Sequence, residues 1–252
     1  MRTLLWYPIF AVTLFLTAPL LLIATIRKKS MPERDFLKFT EFIVRQWALI
    51  QVRTSGARFH MAGMENIPDE AVLFISNHQS NFDIAVFLAL IAKPKGFVAK
   101  IEILKVPVLR TWMKYINCVF LNRKDLRQSA KTILEGIRIL KSGHSMVVFP
   151  EGTRSKGDSF GEFKAGSYKL ATKSKVPIVP VTINGTYKIM EANKNRIKPA
   201  DVYITIHPPI ATADLNDEEL AALPARVEGI IRATTPKPQG SAPHPANFLK
   251  KV

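Results

Sequence analysis

The sequence predicts an α/β domain, a sheet covered by helices on both faces, carried behind helices that anchor it to a membrane. Three observations predict this. After residue 56, short apolar runs that read as buried strands alternate with segments of helical periodicity. Hydrophobic residues make up 47% and charged residues 22% of the 252, which excludes a disordered or fibrous chain. Residues 3–26 contain no charge and are rich in Leu, Ile, Phe, Val and Trp, a run long enough to cross a hydrocarbon core of ~30 Å as a helix. The expected organisation is anchoring helices over 1–55, one domain over 56–235, and a disordered tail over 236–252, where Pro, Gly, Ser and Ala dominate.

Each element has its own reason. Pro8 and Pro19 interrupt the first apolar run, which allows a kinked or re-entrant helix. A cleaved signal peptide fits poorly: its basic start is Arg2 alone, and no small-x-small site precedes Arg27. Arg27, Lys28, Lys29 and Arg34 follow the run, and the positive-inside bias puts the domain after them on the cytoplasmic face. Next, Phe36, Phe39, Ile43, Trp47 and Ile50 fall on one helical face. That helix either packs on the domain or lies in the plane of the lipid surface with Trp47 at headgroup level. Strands are expected over 71–76, 96–100, 118–122, 145–149, 176–183 and 202–206, and helices over 83–91 and 216–233. Pro107 suits the first turn of a helix running to Tyr115. Asp125, with Gln128 three residues on, reads as the N-cap of a helix whose stripe is Leu126, Ala130, Ile133, Ile137 and Leu140, ended by Gly143.

The net charge of +16 calls for a polyanionic partner, nucleic acid or anionic lipid. No nucleic-acid motif is present and the basic stretches sit behind an apolar anchor, so lipid is the better reading. Residues 93–131 hold ten Lys or Arg against Glu102 and Asp125, half of the net charge, as expected of a surface laid on anionic lipid or cupped around phosphate. One cysteine excludes an internal disulfide and a Cys-based zinc cluster. Cys118, in an apolar run, reads as a small buried hydrophobe. No metal-ligand spacing appears, and His60, His144, His207 and His244, without an acidic partner at useful spacing, read as structural.

Chemistry concentrates where strands end. The strand over 71–76 runs into Asn77-His78-Gln79-Ser80-Asn81-Phe82-Asp83, and ligands of α/β sheets bind beyond strand C-termini. Asp83, in the first turn of a helix, is kept ionised by backbone N–H groups and can hold one ring nitrogen of His78, leaving the other as a base. The strand over 145–149 runs into Phe149-Pro150-Glu151-Gly152-Thr153-Arg154-Ser155. Gly152 lets backbone approach a ligand, Arg154 offers a planar fork for phosphate, and Glu151 suits a hydroxyl or an anchor for Arg154. Lys100 and Arg123 also stand at strand ends and with Arg154 make a possible phosphate pocket. Gly157-Asp158-Ser159-Phe160-Gly161 matches the G-x-S-x-G of serine hydrolases, but polar residues 153–156 precede it in place of a buried strand.

In order and spacing, these blocks resemble the 1-acylglycerol-3-phosphate acyltransferases, over roughly residues 60–210. Residues 77–83 resemble the family's catalytic His-x4-Asp block, 100–104 with 107–123 its second block, 149–155 its third and 176–181 its fourth. Asn117 departs from the pattern, which often has Gly there. The resemblance implies a glycerolphosphate acyltransferase-like fold, a mixed sheet flanked by helices. It implies transfer of an acyl group from acyl-CoA or acyl carrier protein to the sn-2 hydroxyl of lysophosphatidate, giving phosphatidate at the cell membrane. His78 would be the base, Asp83 its orienter, Lys100, Arg123 and Arg154 the phosphate site, and Glu151, Gly152 and Thr153 the remainder of the acceptor site. The implied partners are membrane lipid and the acyl donor, with no nucleic acid, metal or further cofactor. The alternatives are the same chemistry on glycerol 3-phosphate, a lysophospholipid or a lyso-aminolipid, an esterase using Ser159, or a silent lipid-binding protein, against which the intact His78–Asp83 pair argues.

Overall fold

The structure, a computed structural model, describes residues 1–234; the expected tail over 236–252 and His244 lie outside the described residues. Three helices lead: α1 (Arg2–Leu16), α2 (Ala18–Arg27) and α3 (Glu33–Ser55). There follow β1 (Arg58–Ala62), β2 (Leu73–Ser76), α4 (Phe82–Leu90), β3 (Lys95–Lys100), α5 (Pro107–Tyr115), β4 (Val119–Leu121), α6 (Leu126–Lys141), β5 (Ser145–Val148), α7 (Lys169–Ser174), β6 (Ile178–Asn184), β7 (Asp201–Ile206) and α8 (Asp217–Ala233).

The strands form one sheet in the order β1-β7-β6-β2-β5-β3-β4. Strands β6, β2, β5, β3 and β4 run parallel, whereas β7 is antiparallel to β6 and pairs in parallel with β1. The sheet is therefore mixed. Strand β2 lies at its centre with every residue fully buried, which is why it reads as a continuous apolar run with no alternation. Its side chains point alternately to two cores. Phe74 joins Phe82, Val86 and Phe87 of α4 and residues of α3 and α5. Leu73 and Ile75 join Leu140, Leu170 and Val227 from α6, α7 and α8. Each such side chain contributes about 1.5–3 kcal/mol by burial.

The edge strand β1 and the short α7 have no counterpart among the expected elements. Strand β1 alternates only weakly in burial, and α7 is less than two turns long. Asn117 takes φ +57° just before β4, a left-handed conformation that Asn tolerates better than most residues and Gly best.

Helix α3 packs on the domain. Ala48, Leu49 and Val52 cluster with Ala89 of α4, and Glu41 Oε1 accepts from Lys95 N at 2.5 Å, tying α3 to the start of β3. The buried face is not the expected stripe: it runs through Phe36, Thr40, Ile43, Val44, Ala48 and Val52, and Ile50 is 38% exposed. Residues seven apart drift by about 20° per heptad on a straight helix, so two heptads carry Ile50 off the face that Phe36 begins.

The first apolar run breaks at Thr17, between α1 and α2. Together the two helices are long and apolar enough to cross a membrane, and their outer face, with Leu4, Leu5, Phe15, Leu16, Leu22 and Ile26, is exposed. Yet both ends touch the domain. Near the start, Trp6 Nε1 donates to Gln51 O (3.2 Å) and Tyr7 OH to Asn195 O (2.8 Å). Near the finish, Thr25 Oγ1 and Tyr115 OH lie 2.8 Å apart, and Lys28 sits over the Tyr115 ring. The middle is held by Trp112 Nε1, which donates to Thr17 Oγ1 at 2.9 Å.

The packing predicts a contrast in stability. Phe74→Ala, which removes a fully buried ring packed edge-on against Phe87 at 5.8 Å, should cost about 3–5 kcal/mol. Ile50→Ala, on the outer side of α3, should cost less than about 0.5 kcal/mol. Equilibrium unfolding in detergent measures both.

Candidate active site

The site begins where β2 ends. Asn77 continues the strand pairing with its side chain: Nδ2 donates to Ile183 O and Oδ1 accepts from Ile183 N, both at 2.8 Å. Gln79 Oε1 accepts from Gly185 N at 2.9 Å. These bonds hold the turn from β2 into α4 against the end of β6. Asp83, in the first turn of α4, is fully buried. Its Oδ2 accepts from His78 Nδ1 (2.7 Å), Gln79 N (2.7 Å) and Ser80 N (2.9 Å), and its Oδ1 accepts from Thr186 Oγ1 (2.5 Å). A carboxylate only accepts, so the imidazole proton belongs on Nδ1 and the Nε2 lone pair is left for a substrate. The ring stacks on Phe149, with centroids 4.1 Å apart and planes within 16°, and the side chain keeps 14% exposure. Orientation and tautomer are thus both fixed, as a general base requires.

The loop after β5 closes on this turn, with Ser155 N donating to His78 O at 2.8 Å. Glu151 is a brace: Oε1 accepts from His78 N and Oε2 from Gly161 N, each at 2.7 Å. Burial pushes its pKa up, and the two amide donors act against that rise. Glu151 does not anchor Arg154, whose Nη1 instead donates to Glu191 Oε1 at 2.9 Å. Gly152, at φ +71°, lies directly under the Arg123 guanidinium, where a Cβ would come within 2.5 Å of Nη2. The strand-end residue Arg123 therefore reaches the loop after β5. Thr153 is exposed beside Arg154. Lys100 ends β3 on the same edge of the sheet, exposed, and makes no hydrogen bond or ion pair with the others among the described residues.

A cavity of about 600 Å³ opens beside the turn, between α1, α3, α4 and α5. Its walls are apolar, with Trp6, Phe10, Trp47 and Trp112 prominent, and Asn81 and Arg154 stand among its lining. Cys118 lines it too; burial pushes that thiol up to about 12, so it behaves as the small hydrophobe expected.

Two residues of the site were not expected. Thr186, the fourth donor to Asp83, follows β6 in a polar turn, and the strand-end rule that found His78 and Arg154 would have found it. Glu191 lies in a one-turn 3-10 helix with no motif around it, so nothing in the sequence singles it out. Ser159 is exposed in an irregular loop with no strand before it or helix after it, and its neighbour Asp158 is taken by Tyr187 OH at 2.7 Å. The geometry of a serine nucleophile is therefore missing. His60 does have an acidic partner, Asp201 of the adjacent β7 at 3.0 Å, which linear spacing did not reveal. That pair sits at the sheet edge formed by β1 and β7, away from the turn after β2.

The chain is similar to proteins already known. The acyltransferase family profile matches residues 58–184. A probable 1-acyl-sn-glycerol-3-phosphate acyltransferase of Mycoplasma pneumoniae is 40% identical over 58% of this chain and 56% of its own length. A chloroplastic 1-acyl-sn-glycerol-3-phosphate acyltransferase of Brassica napus is 38% identical over 72% of this chain and 54% of its own. The chain thus spans little more than half of these two relatives. It spans 71% of the 1-acyl-sn-glycerol-3-phosphate acyltransferase of Borreliella burgdorferi, at 31% identity. Among solved structures, the 1-acyl-sn-glycerophosphate acyltransferase PlsC of Thermotoga maritima superposes with a TM-score of 0.74 at 28% identity, over 92% of this chain and 95% of its own. With the family profile covering half of the sequence and the Borreliella burgdorferi relative spanned over more than two thirds of its length, this chain belongs to the acyltransferase family.

Proposed function

We propose that this protein moves a fatty acyl group from acyl-CoA or acyl carrier protein to the sn-2 hydroxyl of lysophosphatidate, giving phosphatidate. The observation that carries the reading is His78, its Nδ1 locked on Asp83 and its Nε2 left free to act as base. The acceptor hydroxyl gives its proton to Nε2 as its oxygen attacks the thioester carbonyl carbon. The tetrahedral intermediate then expels the thiolate, which takes that proton from the imidazolium. A thioester is already activated, so alignment and proton transfer suffice and no enzyme nucleophile is required. Arg154 and Arg123 are assigned to the acceptor phosphate, with Lys100 at the outer edge of the same basic rim. Glu151, Gly152 and Thr153 shape the floor between them. The apolar cavity suits an acyl chain, since its aromatic walls offer contact area and little competing polarity.

The α1–α2 run is assigned to one leaflet on the cytoplasmic face. A spanning helix would carry its two ends to opposite sides of a core of ~30 Å, whereas Tyr7 and Thr25 both touch the folded domain. The exposed apolar face of α1 and α2 and the chain's positive charge favour an anionic surface.

Four outcomes are expected. His78→Ala should lower kcat by about two to four orders of magnitude with little change in melting temperature. Asp83→Asn should be comparably slow and also less stable, by about 1–3 kcal/mol, because buried donors lose their acceptor. Near wild-type turnover by His78→Ala would contradict the mechanism. An acceptor screen with purified protein, one acyl-CoA and thiol release as readout should rank lysophosphatidate above glycerol 3-phosphate and headgroup-bearing lysophospholipids. In inside-out vesicles, a cysteine placed in a short N-terminal extension and another at Lys29 should both react with an impermeant maleimide from outside; protection of one alone would show a spanning helix.

A further inference from the structure

Arg154 reaches the site on a loop, and a long flexible side chain there has rotamer entropy to lose before it can hold anything in place. The structure supplies a restraint. Glu191, whose side chain is 3% exposed, places one carboxylate between Arg154 and the catalytic turn. Its Oε1 accepts from Arg154 Nη1 (2.9 Å) and from Asn81 N (3.0 Å), and its Oε2 accepts from Ser80 Oγ (2.6 Å). Ser80 N in turn donates to Asp83 Oδ2, which holds His78. A continuous path of hydrogen bonds therefore runs from Arg154 through Glu191 and Ser80 to Asp83 and the base. Glu191 engages only Nη1; among the described residues Nε and Nη2 of Arg154 make no hydrogen bond, which leaves a donor edge for a phosphate.

The electrostatic effect of Glu191 on an anionic acceptor is unfavourable, since it offsets the charge of Arg154. Its benefit must be geometric. We infer that Glu191 is a positioning residue that sets the distance from Arg154 to the His78 ring and so selects which hydroxyl of a phosphate-bearing acceptor is acylated. In a glycerol 3-phosphate skeleton the sn-1 hydroxyl lies one carbon farther from the phosphate than the sn-2 hydroxyl. A phosphate grip held at fixed distance from the base presents one hydroxyl to Nε2, and a loose grip presents either. The inference rests on the assignment of Arg154 to the acceptor phosphate.

The test uses the full chain in detergent with two acceptors, 1-O-alkyl- and 2-O-alkyl-glycerol 3-phosphate, whose ether chains cannot migrate between positions. Glu191→Gln keeps the shape and removes the charge; Glu191→Asp keeps the charge and draws it back by one carbon. Both should raise the KM of the 1-O-alkyl acceptor and reduce the preference for it over the 2-O-alkyl acceptor by about tenfold, the equivalent of one charge-assisted hydrogen bond. The acyl-donor KM should stay at the wild-type value. In an Arg154→Ala background, Glu191→Gln should change the preference by less than about twofold, because the two residues act as a unit. Unchanged preference in both Glu191 variants, with Arg154→Ala still raising acceptor KM, would overturn the positioning role and leave the phosphate assignment intact. Additive losses on both acceptors with a parallel fall in melting temperature would reduce Glu191 to a cap on α4. An Arg154→Ala variant with wild-type acceptor KM would instead remove the phosphate assignment itself.

Discussion

Asp83 places its carboxylate out of reach of water, and the rest of the site is arranged around supplying it with donors. A buried polar group costs free energy unless hydrogen bonds replace its hydration. Four donors do so here: two backbone amides of the turn, the Thr186 hydroxyl and the His78 ring. They come from two different strand ends. The turn follows β2 and Thr186 follows β6, so the pairing of Ser76 with Val181 sets where they meet. A slip of one residue would separate Thr186 from Asp83 and turn each side chain of β2 into the wrong core.

The His78–Asp83 pair, the cavity and helices α1 and α2 lie on one side of the sheet. Helices α1, α3, α4 and α5 share the core that receives Phe74, and the apolar cavity lies among them. On the opposite face, α6, α7 and α8 build the second core around Leu73 and Ile75. On the proposed reading, a lipid surface against the exposed face of α1 and α2 would lie beside the cavity wall built by Trp6 and Phe10. An acyl chain would then pass from lipid to site over a short apolar path.

Much of this was legible in the residues. Buried parallel strands show as uninterrupted apolar runs, and His78, Asp83, Arg123 and Arg154 declare themselves by standing where such runs end. The failures share a cause. Strand β1 and helix α7 are too short and too weakly patterned for periodicity to register. Ile50 misled because a seven-residue repeat drifts around a helix of 3.6 residues per turn. Glu151 was offered as an anchor for Arg154 because the two are near in sequence, but its oxygens turn to the amides of His78 and Gly161, and Glu191 takes the guanidinium instead. Glu191 lies 37 residues beyond Arg154, and long-range partners of this kind are visible only in the folded chain.

The proposed catalysis depends on the imidazole of His78 being held as the Nδ1–H tautomer, and that can be observed without any turnover. In protein labelled with ¹⁵N-histidine, the neutral His78 ring should show a protonated, pyrrole-type Nδ1 and an unprotonated, pyridine-type Nε2. Asp83→Asn should weaken or reverse that assignment. A neutral wild-type ring that carries its proton on Nε2 would leave no base facing the acceptor and would contradict the account at its centre.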